Sequence, residues 1–188
     1  MTKEISCFKA YDVRGRIPSE LNEDVAYRIG AGVASYFGAE SVVLGYDVRP
    51  SSIDILNALT KGINSKGAKV YSIGLCGTEE IYFATNHLNT DAGVMITASH
   101  NPADYNGLKI VGKGAKPVSM DSGLDEIKNI AEASQSMTDN QPVIEIIDVK
   151  NEYIDKLMEF IDPKKIKPMK IVTNSGNGCA GPILDMLE

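Results

Sequence analysis

The chain has 188 residues, 43% of them hydrophobic and 23% charged, enough for one well-packed domain and part of another. That balance excludes collagen-like, disordered and disulfide-scaffold classes, and a net charge of −6 with a pI near 5.0 argues against a nucleic-acid partner. Cys7, Cys76 and Cys179 are far apart with no C-x-x-C pair, and there are only two histidines, so a zinc site is not expected. Sparse, odd-numbered cysteines fit reduced thiols. The start, Met1-Thr-Lys-Glu-Ile-Ser, is polar, and no apolar run reaches membrane-spanning length. The expectation is a cytoplasmic protein with no membrane partner.

After an opening segment, Phe8 to Gly15, helical and extended patterns alternate. Val25, Ile29, Val33 and Tyr36/Phe37 recur at helical spacing between Leu21 and Phe37, with Asn22 as the N-cap and Gly38 just past the end. Val42-Val43-Leu44 reads as a short buried strand ending at Gly45. A helix follows Ser51/Ser52, with Leu56, Leu59 and Ile63 on one face and Gly67 as its stop. Lys69–Gly74 is the next strand, Thr78–Leu88 a third helix, Ala92–Ile96 a strand, and Leu108–Val111 another. This alternation predicts an α/β sandwich with a mixed, largely parallel sheet.

From Ser119 to Asp162 eleven acids stand against Lys128, Lys150 and Lys156, a pattern read as a solvated face. Helices are expected near Gly123–Ala133 and Val149–Ile161, separated by a polar, proline-containing linker. The run Lys164-Lys-Ile-Lys-Pro-Met-Lys170 reads as a basic lead into a strand over Lys170–Thr173, or as an address signal. Asn174-Ser-Gly-Asn-Gly178 then turns into a helix that has barely begun at Glu188. One strand and part of a helix cannot bury their own apolar face, so a second domain lacking its remainder is expected. The boundaries expected are 1–150 for the first domain and 151–188 for the start of the second.

The densest polar cluster is Thr97-Ala-Ser-His-Asn-Pro102, directly after an apolar strand, where open α/β sheets collect ligands. Ser99 is a nucleophile there, or part of a turn feeding Asn-Pro. A hydrolase triad fits poorly: no G-x-S-x-G elbow occurs, and the adjacent side chains of Ser99 and His100 tend to diverge. If Ser99 carries a phosphoryl group, it needs cations and a metal, and Arg14, Arg49, Lys109 and His100 are the candidate cations. Asp12 with Arg14 reads equally as a surface turn, and Asp47 with Arg49 as a salt bridge that fixes its loop. Ser175-Gly-Asn-Gly178 suits a phosphate cradle or a tight turn, and lacks the Lys-Ser/Thr of a P-loop.

Taken together and in order, Phe8-Lys-Ala-Tyr-Asp-Val-Arg-Gly15, Gly45-Tyr-Asp-Val-Arg-Pro-Ser-Ser52, Thr97–Pro102 with Asn106-Gly-Leu-Lys-Ile110, and Asn174–Gly178 resemble the α-D-phosphohexomutase family. Gly77-Thr-Glu-Glu-Ile-Tyr-Phe-Ala-Thr85 looks like its bacterial phosphomannomutase branch. The resemblance implies a three-layer α/β/α first domain and reversible phosphoryl transfer between the 1- and 6-positions of a hexose phosphate, here mannose, through a hexose 1,6-bisphosphate. It implies Ser99 as the phosphoserine, whose phosphate is also one Mg²⁺ ligand. Arg14 and Lys109 match positions implicated in acid–base work, an electrostatic role being more natural for arginine. His100 and Asn101 would position the loop, and Tyr11 would pack or hydrogen-bond near Arg14.

Members of that family are much longer, with four domains around a cleft and an Asp-Gly-Asp-x-Asp-type magnesium loop in the second. No closely spaced Asp triplet occurs here, so the remaining magnesium ligands are expected to be absent from this chain. The expectation is therefore an N-terminal part of a mutase, inactive alone, with its C-terminal domains in the same or a separate chain. The alternatives are a non-catalytic phosphosugar-binding module and one half of a split mutase.

Overall fold

The computed structural model describes residues 4–188, leaving Met1–Lys3 of the polar start outside the described residues. Val42, Val43 and Leu44 are all fully buried, as a strand without polar alternation requires when both its faces are covered. They belong to β2 (Ser41–Tyr46), the middle of a sheet that also contains β1 (Val13–Arg16), β3 (Lys69–Leu75), β4 (Ala92–Ile96), β5 (Tyr105–Gly112), β6 (Lys116–Pro117) and β7 (Glu145–Ile146). The order among the described residues is β1-β5-β4-β2-β3-β7, with β6 on β5. β2 pairs in parallel with β3 and β4, and β7 in parallel with β3. β5 alone is opposed, antiparallel to β1, β4 and β6.

Period-two alternation sends side chains to two cores. Val42, Leu44, Val94, Ile96, Leu108 and Ile110 meet α1 (Glu23–Phe37), α2 (Ser52–Asn64) and α4 (Leu124–Ala133) on one face. Val43, Met95 and Val111 meet Ile81 and Ala84 of α3 (Thr78–His87) on the other. α5 (Lys150–Met158) joins that second layer, with the Tyr153 ring 5.4 Å from Phe83. The three-layer α/β/α arrangement is therefore the one expected.

The helix boundaries follow local chemistry. Asn22 accepts the Val25 N–H at 3.0 Å, and Gly38 closes α1 in the left-handed region at φ +55°. Buried Arg28 donates to the carbonyls of Ala131 at 2.9 Å and Glu132 at 2.6 Å, satisfying the free end of α4. α1 and α2 cross at Gly30 and Gly62, where a Cβ at either position would run into a backbone carbonyl of the facing helix, Leu59 and Tyr27 respectively.

Several elements differ from expectation, among them the two-residue strands β6 and β7, the latter inside the stretch read as a polar linker. The opening segment contains β1, which the sequence pattern leaves undefined. β5 is longer at both ends than Leu108–Val111. Lys170–Thr173 is not a strand: Ile171 is 69% and Val172 88% exposed. A strand is made by the neighbour that takes its backbone groups, and none of the described residues does so here. The following helix, α6 (Gly181–Leu187), is present. No helix among the described residues is long and apolar enough to cross a membrane.

All three cysteines are free. Burial pushes the Cys7 thiol up to about 12 and raises Cys76 as well, so neither supplies thiolate at neutral pH. Cys179 is raised by burial too, but it is only half-buried. A maleimide applied to the native protein is thus expected to modify Cys179 alone, with Cys7 and Cys76 reacting after denaturation. Peptide mapping checks this, and native labelling of Cys76 at the rate of Cys179 would contradict the packing.

Candidate functional site

The chain leaving β2 crosses through α2 to β3 on one side, while the chain leaving β4 turns the other way into β5. At such a divergence the loops after two neighbouring strands separate and leave a crevice at their carboxyl ends. The two loops here are residues 47–51 and 97–104, and both are rich in polar groups.

A buried network joins them. Asp47 Oδ1 accepts from Ser52 Oγ at 2.9 Å and from the Arg49 N–H at 3.1 Å. Its Oδ2 accepts from Thr97 Oγ1 at 2.7 Å and Arg49 Nε at 3.2 Å. Arg49 then donates Nη1 to the carbonyls of Pro102 (2.6 Å) and Tyr105 (2.9 Å), and Nη2 to those of Ser99 and Asn101, both at 2.7 Å. Fully buried Asn106 donates to Ser51 Oγ at 2.9 Å and Ser52 Oγ at 3.1 Å, and accepts the Gly107 N–H at 2.8 Å. The Asp47–Arg49 bridge does fix a loop, and that loop is the one bearing Ser99. Arg49 therefore leaves the set of cations open to a phosphate, because its donors are spent on carbonyl oxygens.

Ser99 sits at φ +55°, a left-handed conformation that a non-glycine residue adopts only when its surroundings impose it. Its N–H donates to Thr97 Oγ1 at 2.8 Å, its carbonyl is held by Arg49, and its side chain is left exposed. The same turn brings Ser99 Oγ to 3.4 Å from His100 Nδ1, closer than adjacent side chains on an extended chain come, but at the long edge of hydrogen bonding.

β1 brings Arg14 opposite Gly107 on β5. Arg14 Nη1 donates to Asn101 Oδ1 at 2.6 Å and Nη2 to Asp12 Oδ2 at 2.7 Å. The same Asp12 oxygen lies 3.8 Å from Lys109 Nζ, so one carboxylate ties the two cations together. Arg14 Nε is buried with no partner among the described residues. The close approach of β1, β5 and the loop requires glycine at 107, where a Cβ would lie 2.9 Å from the Thr97 carbonyl oxygen and collide with that of Val13. Arg14, Lys109, Asn101, His100 and Ser99 thus belong to one connected region. Tyr11, expected near Arg14, is 79% exposed.

The Ser175–Gly178 run is a tight turn closed by the Gly178 N–H on the Ser175 carbonyl at 2.8 Å, with Gly176 and Asn177 both at positive φ. Among the described residues no three His, Cys, Asp or Glu side chains come together as metal ligands. The carboxylates in the Ser99 network, Asp12 and Asp47, already face arginine. These residues do not by themselves fit a magnesium ion.

Sequence reasoning missed Asp12 as a bridge between two cations, and Ser52, Thr97 and Asn106 as partners in the network around the Asp47–Arg49 bridge. A signal was present: Asp-Val-Arg occurs twice, at 12–14 and 47–49, each time level with the carboxyl ends of β2 and β4.

Residues 6–138 match the family model described as phosphoglucomutase/phosphomannomutase, alpha/beta/alpha domain I. The chain is 47% identical over 193 residues to a phosphomannomutase of Escherichia coli K12, covering 99% of this chain and 41% of that protein. It is 48% identical over 192 residues to a phosphomannomutase of Vibrio cholerae, covering 99% and 42%. Among solved structures, a phosphoglucomutase/phosphomannomutase family protein from Burkholderia thailandensis superposes with a TM-score of 0.84 at 32% identity, over 100% of this chain and 42% of that one. The chain thus spans about two-fifths of the length of these relatives.

Proposed function

Because the chain belongs to the phosphoglucomutase/phosphomannomutase family, we propose that it supplies the phosphoryl-carrying part of a mutase that interconverts mannose 1-phosphate and mannose 6-phosphate. The phosphoryl group passes from Ser99 to the free hydroxyl of the monophosphate. The new O–P bond forms as the Oγ–P bond breaks, and the sugar's proton ends on Ser99. After the bisphosphate turns over, the opposite phosphate returns to Oγ and its sugar oxygen regains the proton. Arg14 and Lys109 offset the charge on the transferring group, the largest task in such a reaction. The assembled enzyme comprises residues 1–150 as the phosphoserine domain, 151–188 as the opening of a second, and further polypeptide that completes the cleft. The exposed Ile166, Met169, Ile171 and Val172 support the second point, since such a cluster is unusual on a finished surface.

The observation that carries this reading is Ser99 itself, an exposed hydroxyl held in a strained turn at a topological switch point with Arg14 and Lys109 in the same network. The test is to incubate the assembled enzyme with mannose 1,6-bisphosphate and map the phosphate. Phosphate on the Ser99 peptide is expected, and residues 1–188 alone should turn over no mannose phosphate. Turnover with no phosphate on Ser99, or turnover by residues 1–188 alone, would overturn it.

A further inference from the structure

Ser99 lies on a loop whose shape depends on another residue. The loop 97–104 is exposed at His100, Pro102, Ala103 and Asp104 and has little apolar burial to define its path. Its main chain is gripped chiefly by one guanidinium, with Arg14 on the Asn101 side chain and Thr97 on the Ser99 N–H beside it. All four of the hydrogen bonds that Arg49 sends into the β4–β5 connection end on main-chain carbonyls, at residues 99, 101, 102 and 105. Its Nε is turned back onto Asp47, and its side chain is only 9% exposed. A planar fork with five fixed donors can satisfy four carbonyls that converge from one turn, whereas the compact ammonium of lysine cannot. Asp47 holds the fork from below and also grips Thr97, whose hydroxyl takes the Ser99 N–H.

Building on the proposed transfer, we propose that Arg49 is the positioning residue that sets where the Ser99 hydroxyl stands, by pinning the carbonyls of Ser99, Asn101, Pro102 and Tyr105 around one guanidinium. It touches no substrate. Because it acts on the main chain, its loss moves Oγ without altering the groups that meet the sugar. Misplacement of a reacting atom by about 1 Å costs roughly 10²-fold in rate. The residue therefore appears in the rate of transfer and not in substrate affinity.

The experiment compares wild type and Arg49→Lys in the assembled enzyme, each checked by thermal unfolding. Phosphorylation of Ser99 by mannose 1,6-bisphosphate is followed in single turnover, and kcat and KM in steady state. Arg49→Lys is expected to lower the single-turnover rate and kcat by roughly 10²-fold, with KM held within about twofold. If wild type acquires no phosphate on Ser99, the proposed function fails and the role of Arg49 falls with it. If wild type is phosphorylated and Arg49→Lys is phosphorylated equally fast, or loses rate only through a raised KM, the positioning role is wrong and the proposed function stands. Should Arg49→Lys fail to fold, Asp47→Asn, which keeps the shape beneath the fork and removes its charge, must lower kcat at unchanged KM. An unchanged kcat in that variant would overturn the proposal.

Discussion

Alanine at position 99 is expected to reduce mutase turnover of the assembled enzyme by about 10³-fold or more, the scale seen when a covalent nucleophile is removed. The same substitution should leave the unfolding temperature almost unchanged, because the Ser99 side chain is exposed and its one polar contact, to His100, is long. Glycine separates the two effects further. A left-handed residue with a Cβ carries about 1–2 kcal/mol of strain, which glycine removes, and glycine's extra freedom in the unfolded chain costs about 0.5–1 kcal/mol. Ser99→Gly should therefore be no less stable than wild type and equally inactive. Activity and thermal unfolding measured on the same preparations check this. A variant at 99 that unfolds early and keeps its turnover would assign Ser99 to the architecture and not to the chemistry.

The largest stability effect is expected at the crossing of α1 and α2. Helix propensity favours Gly62→Ala by about 1 kcal/mol, since glycine is a poor helix former. The local geometry opposes it, because the new Cβ would meet the carbonyl of Tyr27 and come 2.9 Å from the Ala31 nitrogen. Both are main-chain atoms that cannot swing aside, so the helices must separate and loosen the contacts around Ile29, Leu59 and Ile63. Overpacking of this kind costs typically about 1–3 kcal/mol and more where only backbone can yield. The net result is a loss of about 2 kcal/mol, a fall of roughly 5 °C in a domain of this size. Calorimetry decides the sign. Gly38→Ala is the control, with open space at its Cβ but a positive φ, so its cost is strain alone.

The sequence carried the layers of this fold well. Asn22, Gly38 and the spacing of Val25, Ile29 and Val33 define α1, and the unbroken apolar runs of β2 and β4 could only be central strands. Local chemistry determines those elements, so local reading finds them. β1 and the path of Lys170–Thr173 escaped because pairing decides them: Val13–Arg16 is extended through its partners on β5, and residues 170–173 have none among the described residues. At the candidate site, the motifs singled out Ser99, Arg14 and Lys109, which lie in one network, but not the direction of their hydrogen bonds. Whether an arginine faces a ligand or four carbonyls depends on chain distant in sequence, as Arg49 illustrates.

The single opposed strand, β5, has a consequence for how the site is assembled. The run from β4 through the Ser99 loop to Lys109 is an antiparallel excursion between adjacent partners, closed by contacts near in sequence. β1 reaches the other edge of β5 only by spanning most of the domain, pairing Val13 with Leu108. Closing that long loop costs more chain entropy, and edge strands held by few residues open first in native fluctuations. Ser99 and Lys109 thus lie in one local unit, while Arg14 is attached through a four-residue edge strand whose partner is remote in sequence. Damage or tagging near the N-terminus is accordingly expected to draw Arg14 away from Asn101 before it unfolds the domain.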